Sequence, residues 1–149
     1  MKLIRFSFLV CALMSATAEA YCGLAVTVSP PKVAGQKAVV RLALENHFQE
    51  RIESARAVTF LLDEQGKMVA QATKWVIGGS ARPATGDKAG LAPGATNVFH
   101  FVVTSDKPFA TTNLTAKVSF SRVVLEGGKV ADASKDVQIR THDENPPTK

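Results

Sequence analysis

The chain has 149 residues, 46% of them hydrophobic and 21% charged, with a formal net charge of +5. That balance is globular rather than disordered, and the 129 residues beyond the first 20 (149 − 20 = 129) suffice for one domain with its own core. The basic residues are scattered singly from Lys32 to Lys149, without the clustered footprint that nucleic-acid binding needs, so no nucleic-acid partner is expected.

Residues 1–20 read as an export signal. Lys2 and Arg5 supply a positive start, an apolar run follows over 6–16, and Ala18 and Ala20 put small residues where a signal peptidase reads them, with cleavage before Tyr21. The run is shorter than the roughly 20 residues a permanent span takes, and no second run exists, so no membrane span is expected. Bulky Tyr21 stands before Cys22, where a lipoprotein signal places a small residue, which argues against a lipid anchor. The mature protein is therefore expected to be secreted or periplasmic. Cys11 leaves with the signal, and Cys22 is then the only thiol. An odd exported cysteine is either inert or linked to another molecule, as a Cys22-linked dimer or mixed disulfide. Its place near the new N-terminus favours exposure.

The mature chain reads as seven strands. The first covers 24–29 and ends at Pro30 and Pro31. In the second, 37–45, Val40, Leu42 and Leu44 alternate with Arg41 and Glu45, the period of two that a half-buried strand requires. Over 47–57, Phe48, Ile52 and Ala55 have helical spacing, so a helical turn competes there with a connecting loop. The third strand, 56–62, sets Val58, Phe60 and Leu62 on one face and Thr59 on the other. Asp63-Glu64-Gln65-Gly66 then turns the chain into the fourth, 67–77, as a hairpin. Alternation is poor in that strand, where Met68 and Val69 are adjacent, as are Trp75, Val76 and Ile77; a bulge or a switch between sheets is expected.

Residues 78–94 form a long Gly/Ala/Pro-rich loop, of a length that is usually functional or mobile. Leu91-Ala92-Pro93-Gly94 launches the fifth strand, 96–104. Both its faces are largely apolar, with Phe99, Phe101 and Val103 on one and Val98, His100 and Val102 on the other, which suits a central strand or an interface. The sixth covers 113–126, and Gly127-Gly128 signals a hairpin into the seventh, 129–139. Residues 141–149 read as a frayed, disordered tail. Seven short strands in a domain over 21–140 argue for an all-β, seven-stranded antiparallel sandwich of immunoglobulin-like type, with a closed barrel as the alternative.

Particular residues carry a resemblance as well. Leu44-Glu45-Asn46, Ile52, Val58, Phe60, Asp63, Gly66 and Val69, closed by Leu91-Ala92-Pro93-Gly94 and Phe99, resemble the FxLYD-type and related bacterial immunoglobulin-like domains. In these an Asn ends one strand, an Asp-x-x-Gly-Lys turn joins the next pair, and a Leu-x-Pro-Gly turn opens the strand after that. The sequence departs from the pattern at Phe60-Leu61-Leu62-Asp63, which lacks the aromatic Tyr, and in the length of the 78–94 loop. The resemblance implies a sandwich in an envelope setting, mostly non-enzymatic, and carries over no functional residues.

Chemical motifs are sparse. There is no Gly-x-Ser-x-Gly, His-Glu-x-x-His or phosphate-binding glycine loop, and Cys22 near a chain end is badly placed as a nucleophile, so no catalytic residue and no enzyme activity are assigned. Asp63 and Glu64 sit in a turn, where solvated carboxylates are the ordinary reading. His47, His100 and His142 have no ligand spacing, so no metal and no cofactor is assigned. Trp75 reads as a core aromatic rather than a sugar platform. Asn113-Leu114-Thr115 matches a glycosylation acceptor, used only in a eukaryotic host.

What remains is an exported, non-enzymatic domain that binds a protein partner or serves as an accessory of the envelope. Its contact surfaces would be the edge strands, taken as the first and last with Lys129, Lys135 and Asp136 as protective charges, and the long loop through Gly79, Arg82 and Lys88. The alternative is a carrier of a small ligand or metal using His47, His100 and the 78–94 loop.

Overall fold

The computed structural model describes residues 22–79 and 90–142. It is all-β and built from two sheets. Eight strands follow in order: β1 (Leu24–Val28), β2 (Lys32–Ala34), β3 (Lys37–Asn46), β4 (Ile52–Leu62), β5 (Met68–Ile77), β6 (Thr96–Thr104), β7 (Thr115–Leu125) and β8 (Val137–Thr141). The only helical element among the described residues is a single 3-10 turn, Glu126–Gly128. The export signal over 1–20 lies outside the described residues.

The larger sheet has five strands. β3 pairs with β6 on one side and with both β1 and β2 on the other, and β1 in turn pairs with β8. The smaller sheet is antiparallel, in the order β5-β4-β7. Alternation explains the burial: Ala38, Val40, Leu42 and Leu44 of β3 face inward with Phe101 and Val103 of β6. They meet Ala57 and Leu61 of β4 and Val118, Phe120 and Val123 of β7 across the core. The result is sandwich-like.

Several expectations need correction. Among the described residues the strands number eight rather than seven, because β2 resumes pairing with β3 after the break at Pro30 and Pro31. The larger sheet is mixed rather than antiparallel, because β8 runs parallel to β1, with Leu24 opposite Val137 and Val28 opposite Thr141. β1 is thereby an internal strand and not an edge. The 129–139 strand is mostly connection: Leu125 and Lys129 close the glycine turn, one bridge joins Val124 to Val130, and the chain then turns around Asp132. Lys129 and Lys135 therefore lie in the connection before β8, and Asp136 directly precedes β8, which as the last strand does lie at a sheet edge. β8 begins only at Val137 and takes in Thr141, and the His142 N–H donates to the Val28 carbonyl. β6 lies at the edge of its sheet, not in the centre.

The face of β4 is the reverse of the sequence reading. Ala57, Thr59 and Leu61 are buried, while Val58, Phe60 and Leu62 are only half-buried. The fourth predicted strand does carry its irregularity. The register against β4 slips by one residue of β5 twice, between Met68 and Ala70 and between Trp75 and Ile77. Val69 and Val76 are the extra residues, so adjacent Val76 and Ile77 are both buried and Met68 and Val69 both exposed. The 47–51 segment is a loop, and Ile52 already belongs to a strand.

Candidate functional site

Two turns fix the ends of the smaller sheet. At the β4–β5 hairpin the Asp63 carboxylate accepts the N–H groups of Gln65 (3.0 Å) and Lys67 (2.9 Å), and Gly66 sits at φ 78°. Asp63 thus holds a turn together. Beside it, a cleft of about 270 Å³ is bounded by Asp63, Glu64, Val69, Phe109, Thr111 and Leu114. At the other end, Asn46 ties β3 to the turn that precedes β6. Its Nδ2 donates to the carbonyls of Glu50 (3.0 Å) and Leu91 (2.9 Å), and its Oδ1 accepts the Phe48 N–H (2.9 Å). Ala95 N–H donates to the Ala92 carbonyl, closing the Ala92–Ala95 turn. Leu91 and Ile52 exchange two backbone hydrogen bonds, at 3.0 and 2.8 Å.

The sheets meet differently on their two sides. On one, β5 and β6 run beside each other. On the other, a cleft of about 150 Å³ lies between Thr141 of β8 and Thr115 and Ala116 of β7. Because β8 crosses to β1, β4 is the only named strand among the described residues that pairs with β7. On the other side of β7 the 129–131 segment closes residues 123–125, while 115–122 stay open. Along β7 the exposed side chains are Thr115, Lys117, Ser119, Ser121 and Arg122, two of them cationic and none acidic. Val130, bridged to Val124 at one end of this strand, is 58% exposed.

The residues singled out in the sequence fall in separate places. Cys22 is a free, exposed thiol. Gly79 is exposed at the root of the long loop, against the Trp75 ring; Arg82 and Lys88 lie outside the described residues. Trp75 is half-buried rather than central in the core, and the Arg56 guanidinium lies over its ring at 5.8 Å. Asn113 is exposed and donates to Glu64 (3.1 Å), while Leu114 beside it is buried.

His47 and His100 are not brought together. His47 pairs with Glu45 at 3.0 Å. His100 stands opposite Arg41, six residues before His47 along β3. At about 3.3 Å per residue the two backbones are roughly 20 Å apart. His100 instead shares a groove with His142, which the sequence put in the tail. The missing signal was the parallel strand β8, which carries His142 back beside β1. Among the described residues, no group of three or more His, Cys, Asp or Glu is gathered as for a metal ion. No helix among them is long and apolar enough to cross a membrane.

No protein-family model matches the chain. No curated protein matches it either. Several solved structures are similar to it, among them these two. One, from Bordetella pertussis and provisionally assigned as ApaA, is 17% identical, covers 72% of this chain and 84% of its own, and has a TM-score of 0.48. The other, the structural-genomics target SoR45, is 12% identical over 74% of this chain and 76% of its own, with a TM-score of 0.42.

Proposed function

We propose that this chain is an exported, non-enzymatic sandwich of immunoglobulin-like kind that binds a protein partner by accepting an extended segment along the outer edge of β7. The one-sided pairing of β7 over residues 115–122 carries this reading, because such an edge presents main-chain donors and acceptors that an added strand can satisfy. The strand grouping supports the immunoglobulin-like part. β1, β3 and β6 share one sheet and β4 and β7 the other, as A, B and E do against C and F in that scheme. In that scheme the last strand lies beside F, and here β8 has left that position. The signal-like residues 1–20 support export.

The occupant follows from the side chains. With Lys117 and Arg122 exposed on β7 and no acidic residue among its exposed positions, the edge suits a segment bearing acidic residues at alternate positions. The same lysine opposes pairing of two copies edge to edge. A photoreactive residue at Ser119 tests this in the exporting cell. The expected result is a saturable crosslink to one protein through an acidic, extended stretch, with a control at Gln71 on β5 giving none. Equal crosslinking from both positions, or none from Ser119, contradicts it.

A further inference from the structure

The outer face of the five-stranded sheet carries a groove of about 320 Å³ that the edge of β7 does not touch. We propose that this groove binds a phosphate group, free or as an ester. Its wall holds Lys32, Arg41, His100 and His142, flanked by Ser29, Pro30 and Val39. The four nitrogen-bearing side chains come from four places in the chain: β2, β3, β6 and the residue after β8. Register is what gathers them. Arg41 is directly opposite His100, and Lys32 is opposite Val39, two residues from Arg41 on the same outward face. The backbone bond from His142 to Val28 brings the end of the chain to the same place.

No carboxylate lines the groove. The ion pairs His47–Glu45, Lys129–Glu50 and Lys135–Asp132 all lie elsewhere. Like charges held close together on a sheet face are destabilising, so Arg41 and Lys32, which share this groove, gain from an anion placed between them. Uncompensated positive charge in a concave site also raises the local concentration of anions. A phosphate brings close to two negative charges and three acceptor oxygens. That matches a guanidinium fork, an ammonium and two imidazoles better than a carboxylate does, with its single charge and two oxygens. Pro30 and Val39 give an ester's carbon portion an apolar wall. The volume lies at the lower end of the range for small-molecule sites.

Calorimetric titration of the protein with inorganic phosphate and with phenyl phosphate tests the proposal, alongside co-sedimentation with phosphatidylcholine vesicles with and without phosphatidic acid. Saturable binding is expected, weakened about tenfold in Arg41→Gln, the loss of roughly one charge-assisted hydrogen bond. Lys32→Gln should weaken it in the same direction. Both side chains are exposed, so both variants should keep the parent's circular dichroism. Tighter binding of phenyl phosphate identifies a soluble ester as the ligand, and binding only to phosphatidic-acid vesicles identifies a headgroup; either supports the site if Arg41→Gln diminishes it. The proposal is overturned if none of inorganic phosphate, phenyl phosphate and the phosphatidic-acid vesicles binds saturably. It is equally overturned if Arg41→Gln and Lys32→Gln bind as the parent does, or if the distant Lys67→Gln weakens binding as much.

Discussion

Asn46 is a polar side chain that the fold cannot spare. It is 1% exposed, yet its three side-chain hydrogen bonds all go to backbone groups, at Phe48, Glu50 and Leu91. Asn46→Ala leaves those groups without their partner, and an unsatisfied buried group costs about 1–3 kcal/mol. We expect a loss of about 3 kcal/mol, read as a lower midpoint in urea denaturation. Thr59 is the opposite case. It is fully buried between Ala72 and Val118, and its hydroxyl has no partner. Thr59→Val keeps the shape and removes the orphan, so stability should rise by about 1 kcal/mol in the same measurement. Asp132 acts through charge. Its carboxyl is held below the ordinary range by the Ser134 hydroxyl first and then by the Ser134 N–H; burial opposes this, and the Lys135 charge and N–H add to the lowering. A depressed carboxylate stabilises the fold above its unfolded pKa, and that contribution is lost as pH falls through the folded value. Asp132→Ala should therefore lower the thermal midpoint at neutral pH, and its deficit should shrink below the ordinary carboxylate range.

At the scale of elements, what the sequence made legible was period and turn chemistry. Strands β3 and β6 lie where alternation put them, and the turns at Asp63 and Pro93 do what their residues prescribe. The misreadings share a physical cause: a residue's face is set by its partners, which no local pattern contains. Val58, Phe60 and Leu62 look like a core face, yet Ala57, Thr59 and Leu61 turn to the other sheet, because the pairing of β4 with β5 and β7 sets which face is inward. Likewise β8 pairs parallel with a strand more than a hundred residues earlier, so neither its partner nor the meeting of His142 with His100 could be read from spacing. The long loop is legible only at its ends. Gly78 and Gly90 press against the carbonyls of Glu53 and Ile52, where a Cβ has no room, and both have positive φ. Gly90→Ala should therefore part the Leu91–Ile52 bridge and cost about 2 kcal/mol or more, seen as a lower denaturation midpoint.

For the whole molecule, the decisive feature is how the last strand is spent. By joining β1, β8 completes the larger sheet and leaves the smaller with three strands. The sandwich is closed where β5 and β6 run together and cleft where β7 faces β8. The strand addition proposed at β7 and the anion binding proposed on the outer face of the larger sheet would use different sheets, so either can fail without the other. In a strand paired on one side only, alternate N–H groups have no strand to donate to. Amide hydrogen exchange of the free protein, resolved by residue, reads this directly. Alternate amides of Thr115–Phe120 should exchange far faster than any in the interior of β4, which is flanked by β5 and β7. Uniform protection along that stretch, equal to that of β4, would contradict the open edge and the partner-binding role built on it.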